Sequence, residues 1–305
     1  MSNRRWVIGA VLILINTPIV LAAIEAASFY THYANNGSLV SSGVTREYLL
    51  HVPASYDPAR PTPLVITLHA GAVWPALQRD ISRWNEVADE HGFIVVYPSG
   101  EDLRMPAWEM GGAGKAADVR FIAELIDSLK SAYNIDPSRI YANGMSNGGG
   151  MSFVLSCTLS DRIAAVGMVA TALLVPFETC TDTTPVPVVA FHGTADPVAK
   201  FNGGRSWVVP RYRFPGVAPF IDAWSKRNRC DPNPTDTAAA SDVTRRSYAN
   251  CAGGADVVLY SFKDGGHTWP SGMALPDWFV GPTPTSIDAS REMWAFFREH
   301  PLRNR

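Results

Sequence analysis

The chain has 305 residues, 26 Lys and Arg against 28 Asp and Glu, a net charge of −2, 47% hydrophobic and 18% charged positions. That balance excludes a disordered or highly charged protein and supplies no concentrated basic surface for nucleic acid. A chain of this size can bury about 75% of its unfolded surface, so one large domain is expected.

Arg4 and Arg5 precede an apolar run over 6–24, broken at Asn16, Thr17 and Pro18, the order of a charged n-region and an export h-region. Coiled as a helix the run would reach about 28 Å, enough to cross a bilayer, so an uncleaved anchor competes with a cleaved signal. The small residues of Val20-Leu21-Ala22 favour cleavage. Residues 1–27 are therefore expected to be a signal peptide or membrane anchor, 28–42 a polar spacer containing Asn35-Asn36-Gly37-Ser38, and 43–301 the folded domain. Export places that domain in a secreted or periplasmic setting, touching a membrane only through the leader if it is retained. Cys157, Cys180, Cys230 and Cys251 are even in number and form no CxxC pair, which favours disulfides over zinc. Three pairings are open; the local one, 157 with 180 and 230 with 251, closes loops worth about 3 kcal/mol each.

Residues 45–52 alternate like a half-exposed strand, and 63–68 form a continuous apolar strand of the kind buried on both faces of a parallel sheet. A helix is predicted over 79–91, ended by Gly92, and an apolar strand over 93–97. An amphipathic helix over 118–133 places Phe121, Ile122, Leu125, Ile126 and Leu129 on one face, before a short strand at 139–142. Further strands are expected at 164–170, 187–191 and 257–262, and a closing helix at 286–298. Alternating strands and helices predict an α/β fold, a three-layer sandwich whose central sheet is mostly parallel, with its chemistry at the carboxyl ends of the strands.

Directly after the strand at 139–142 comes Gly144-Met145-Ser146-Asn147-Gly148, leading into a helical stretch. G-x-S-x-G between strand and helix is the nucleophile elbow, which strains the serine and holds its Oγ above the sheet. A serine hydroxyl needs a base, and the base needs a carboxylate to fix its tautomer. Of the seven histidines, His267 stands in a Gly-rich loop after the last predicted strand, and Asp196 stands just past the buried strand at 187–191. Ser146, Asp196 and His267 thus follow the α/β-hydrolase order of nucleophile, acid and base. Asp264 is the rival acid and is better read as part of a turn. An oxyanion would be held by the backbone N–H of Asn147 and by that of Gly71, with Ala70 the next choice, in the turn after the first buried strand. No metal or organic cofactor is required.

With these segments placed, the chain resembles the polyhydroxybutyrate depolymerase and feruloyl esterase group of α/β-hydrolases, the carbohydrate esterase family 1 type. The likeness is carried by TREYLLHVP at 45–53, ADEHGFIVVYP at 88–98, DPSRIYANGMSNGG at 136–149, HGTADPV at 192–198 and GGHTWP at 265–270. It implies Ser146, Asp196 and His267 as the triad, and it supports the two local disulfides. Two segments depart from the pattern: the turn reads His69-Ala70-Gly71-Ala72, and residues 109–115 replace a cysteine-containing loop common in relatives. Only 301–305 follow the closing helix, so short or soluble esters are expected rather than crystalline polymer.

Trp74, Trp108, Trp207, Trp269 and Trp278 fall in predicted loops, where aromatic faces could hold an acyl chain, a phenolic acid or a sugar ring. Trp269, Trp108 and Trp74 are the candidate substrate contacts; Trp84, Trp224 and Trp294 belong to helices and the core. The resulting expectation is an exported serine carboxylesterase working through an acyl-enzyme, depolymerase-like and acting on oligomers, short esters, polyesters or polysaccharide esters. Feruloyl or acetyl xylan esterase is the alternative. A serine peptidase, or an envelope protein that binds polymer without turnover, are the readings outside that class.

Overall fold

The computed structural model describes residues 34–100, 105–171, 176–206, 210 and 212–302. The expected leader or anchor, with its apolar run at 6–24, and Trp207 lie outside the described residues. Among the described residues no helix is long and apolar enough to cross a membrane.

A ten-stranded sheet forms the middle layer. Six parallel strands make its centre: β3 (Thr62–Leu68), β4 (Ile94–Pro98), β5 (Ile135–Met145), β6 (Ala165–Val169), β7 (Val188–Gly193) and β12 (Val257–Phe262), in the order β4-β3-β5-β6-β7-β12. Antiparallel strands β1 (Gly37–Ser41) and β2 (Val44–His51) extend one edge, and β11 (Val243–Tyr248) and β10 (Thr235–Ala240) the other. A separate two-stranded ribbon pairs β8 (Gly204–Arg205) with β9 (Arg213–Phe214).

Every residue of β3 is buried, because helices cover both faces of the sheet and successive side chains point to opposite sides. Leu64, Ile66 and Leu68 pack with Phe121 of α3 (Gly112–Ala132), Phe153 of α4 (Asn147–Thr158) and Phe220 of α5 (Val217–Arg227). Val65 faces the other way, toward Ala76 of α1 (Pro75–Ser82), Trp84 of α2 (Trp84–His91) and Phe297 of α7 (Ala289–Glu299). Trp84, Trp224 and Trp294 are all buried.

Three local features differ from the sequence reading. Residues 37–41, expected within the spacer, form edge strand β1; Ser42 and Gly43, both at positive φ, make the tight turn that twisted hairpins favour, and Asn36 bonds the Leu50 backbone twice. The helix expected over 79–91 is two helices, broken at Arg83 in the left-handed region. That break turns Trp84 inward, where its indole N–H meets Asn143 Oδ1 at 3.1 Å. The hairpin β10–β11 carried no hydrophobic signal, since β10 is almost wholly exposed. Disulfides join Cys157 to Cys180 and Cys230 to Cys251. The second spans the β10–β11 hairpin, and both fit an oxidising compartment.

Candidate active site

The elbow begins where β5 ends. Ser146 sits at φ 53° and ψ −115°, a strained conformation for a residue with a Cβ. The strain is imposed by close approach of backbones. A Cβ on Gly148 would lie 2.2 Å from the Leu68 carbonyl oxygen and 2.5 Å from that of His69, and one on Gly144 would lie 2.5 Å from the Gly148 carbonyl carbon. Only glycine permits helix α4 to leave the sheet at that angle.

Backbone bonds tie the carboxyl ends of the central strands together. Ser146 N–H donates to the Val169 carbonyl, Ala170 N–H to Phe191, and Thr194 N–H to Phe262. The loops after β7 and β12 are then laced to each other: Ala195 N–H reaches the Gly265 carbonyl at 3.0 Å, and Asp264 N–H reaches Thr194 Oγ1. The loop after β12 is anchored from outside, since Gly266 N–H donates to Pro282 and His267 N–H to Val280, the last residue of short helix α6 (Asp277–Val280).

Within this frame His267 Nδ1 donates to Asp196 Oδ2 over 2.7 Å. Asp264, the rival acid, is exposed in a turn at φ 58°. Asp196 is buried and surrounded by donors. Its Oδ1 accepts from the N–H groups of Val198 and Ala199 at 2.7 and 2.8 Å, and its Oδ2 also lies 3.2 Å from His192 Nε2. Burial alone would raise its pKa, but the charge of His267 and the bonds from His192 and His267 outweigh it and hold the carboxyl well below the ordinary carboxylate range. A base oriented by a permanently ionised acid is what proton transfer from a serine requires. His192 also donates from Nε2 to the Ala199 carbonyl at 2.7 Å, fixing the acid loop from beneath.

The turn after β3 lies against the elbow. A Cβ on Gly71 would stand 3.7 Å from Asn147 Cβ, so the two expected oxyanion donors come from adjacent segments. Ala72 N–H is engaged by the Pro106 carbonyl at 2.8 Å and is unavailable for that purpose.

The tryptophan assignments need correction. Trp108 is 2% exposed; its indole N–H donates to the His69 carbonyl and its ring lies beside His69. Trp269 is 1% exposed and donates to Ser290 Oγ. Both indoles found internal hydrogen-bond partners and were drawn into the core despite flanking loop residues, so neither offers an aromatic face to a ligand. Trp74 is 42% exposed and Trp278 is 87% exposed, on the surface beside the Gly71 turn and on α6 respectively. Sequence reasoning did not single out the roles of His69, Asn143 and Asp118; polar residues with buried partners leave no periodic signal.

A strained serine at the strand-to-helix turn after β5, with a His–Asp pair in the loops after β7 and β12 at the same end of a mostly parallel sheet, is the arrangement of an α/β-hydrolase. Residues 47–242 match the family described as "Esterase PHB depolymerase", and the chain belongs to that family. Feruloyl esterase B of Piromyces equi is 33% identical over 229 residues, covering 73% of this chain and 42% of that protein. Poly(3-hydroxyalkanoate) depolymerase C of Paucimonas lemoignei is 31% identical over 180 residues, covering 55% of this chain and 41% of that protein. The chain thus spans less than half the length of either relative. Among solved structures, an acetyl xylan esterase from Aspergillus awamori shares the fold with a TM-score of 0.58 at 15% identity, over 83% of this chain and 94% of that one.

Proposed function

We propose that the protein is an exported serine carboxylesterase. Ser146 Oγ attacks the ester carbonyl carbon while its proton passes to His267 Nε2, and Asp196 keeps the other imidazole nitrogen protonated and stabilises the imidazolium. The carbonyl oxygen becomes an oxyanion facing the N–H groups of Asn147 and Gly71. As the tetrahedral centre collapses, the carbon–oxygen bond to the alcohol breaks and the alcohol leaves with the proton from His267. Water then repeats the sequence on the acyl-enzyme, releasing the acid and restoring Ser146.

The observation that carries this reading is an elbow serine at φ 53° after β5, together with a histidine in the loop after β12 held at 2.7 Å by a buried carboxylate, both at the carboxyl end of the parallel strands. Membership of an esterase family supports ester over amide chemistry. The substrates favoured are short or oligomeric esters of hydroxyalkanoic acids, with feruloyl and acetyl esters of xylan as the alternative. The two disulfides support an extracytoplasmic location.

A panel of p-nitrophenyl esters of rising chain length, methyl ferulate and a hydroxybutyrate dimer tests the proposal. Wild-type protein should hydrolyse at least one of them, and Ser146→Ala should lower kcat by a factor on the order of 10⁴ or more. Hydrolysis undiminished in Ser146→Ala would refute it.

A further inference from the structure

We infer that His69 and the side chain of Asn147 are positioning residues that aim the Gly71 and Asn147 N–H groups at a common point. The inference rests on the esterase reading above and adds to it the means by which the oxyanion donors are held.

His69 is wholly buried directly after β3. Gly100 N–H lies 2.8 Å from His69 Nε2. A backbone N–H can only donate, so Nε2 is the acceptor, and the ring proton sits on Nδ1. That proton goes to the Ala70 carbonyl at 2.8 Å, which also accepts from Val73 N–H at 3.2 Å. Because the Ala70–Gly71 peptide is planar and trans, its carbonyl and its N–H point in opposite directions. Pinning the Ala70 carbonyl toward the imidazole therefore sets the direction of the Gly71 N–H. Burial lowers the His69 pKa to about 4, which keeps the acceptor nitrogen free of a second proton under ordinary conditions.

The second half of the device is on the elbow. Asn147 uses its amide as a two-point clamp on the Trp108 backbone: Trp108 N–H donates to Oδ1 at 2.7 Å, and Nδ2 donates to the Trp108 carbonyl at 3.0 Å. Trp108 in turn donates its indole N–H to the His69 carbonyl at 3.0 Å, and the Ala72 N–H is held by Pro106. The segment around 106–108 thus straps the turn at 69–72 to the first residue of α4. Neither donor can shift without breaking a buried hydrogen bond, so the hole is formed before substrate arrives.

Asn147→Ala keeps the proposed backbone donor and removes only the clamp. Donors displaced by a fraction of an ångström to 1 Å should cost about 10- to 100-fold in kcat with little change in KM. The affinity of a trifluoromethyl ketone, whose hemiketal oxyanion needs both donors, should fall by a similar factor. Binding of a ground-state product acid should stay within about twofold, which a general loss of structure would not allow. Trp108→Phe keeps an aromatic six-membered ring while deleting the indole N–H and the five-membered ring that carries it; it is the second variant should Asn147→Ala not fold, and it should show the same kcat-weighted loss. His69→Asn, whose amide can still reach the Ala70 carbonyl, should retain more kcat than His69→Ala. Folded variants with kcat and ketone affinity within about twofold of wild type, or losses shared equally by product-acid binding, would overturn the inference. Wild-type protein inert toward every ester would instead bring down the underlying function, and the inference with it.

Discussion

Between neutral pH and pH 4.5, acidification should cost this protein stability through the buried side chain of His69. Its pKa is lowered from 6.5 to about 4, first by burial and further by the nearby charge of Arg46, with its bond to the Ala70 carbonyl opposing. The unfolded chain therefore takes up the proton before the folded one does, and stability rises with pH across the window between about 4 and 6.5. Above that window both states are neutral at this residue and nothing is lost; below it both are protonated and no further loss accrues. Carried through the linkage relation, the step from pH 7.5 to pH 4.5 removes roughly 2 to 3 kcal/mol. His69→Gln has no such titration. Urea unfolding of both proteins at the two pH values, with disulfides intact, isolates the term, because other titrating groups cancel in the difference. Wild type should lose roughly 2 to 3 kcal/mol more than His69→Gln on acidification. Parallel losses would refute the claim that burial and the Gly100 N–H, which needs Nε2 as its acceptor, keep this imidazole neutral in the folded protein.

Three further outcomes follow from packing and pairing. Gly148→Ala would place a methyl 2.2 Å from the Leu68 carbonyl oxygen, where no side chain can yield; a loss of about 3 kcal/mol in urea unfolding is expected, with hydrolysis lost as the elbow moves. Asp118→Ala removes the carboxylate 2.8 Å from the buried Arg46 guanidinium, which also lies over the Phe121 ring; a cost of about 3 to 5 kcal/mol should appear in the same assay, and replacing both residues by apolar ones should recover much of it. Replacing Cys230 and Cys251 together by Ser, which frees the segment holding the β10–β11 hairpin, should lower stability by about 2 to 5 kcal/mol, read as a fall in the urea midpoint.

What the sequence revealed and what it hid divide along physical lines. The central strands were legible because burial on both faces demands continuous apolar runs such as 63–68 and 257–262, and the latter matches β12 residue for residue. The elbow was legible because its close backbone approach tolerates only glycine at 144 and 148. Edge strands β1 and β10 were not, since their side chains alternate into solvent or lie wholly in it and their pairing is backbone chemistry that any polar sequence can supply. Trp108 and Trp269 misled for a related reason: loop position suggested exposure, whereas an indole N–H with a buried carbonyl or hydroxyl to meet makes a large apolar ring a core residue. The network through His69 and Asn147 left no pattern at all, because it joins residues distant in the chain through single hydrogen bonds.

Ester hydrolysis by this protein requires above all that Ser146 be an activated nucleophile. Incubation with a fluorophosphonate, followed by intact-mass measurement and peptide mapping, addresses that directly. One adduct is expected, on the peptide carrying Ser146, with labelling abolished in Ser146→Ala and strongly slowed in His267→Ala. An unlabelled wild-type protein, or an adduct that persists in Ser146→Ala, would contradict it.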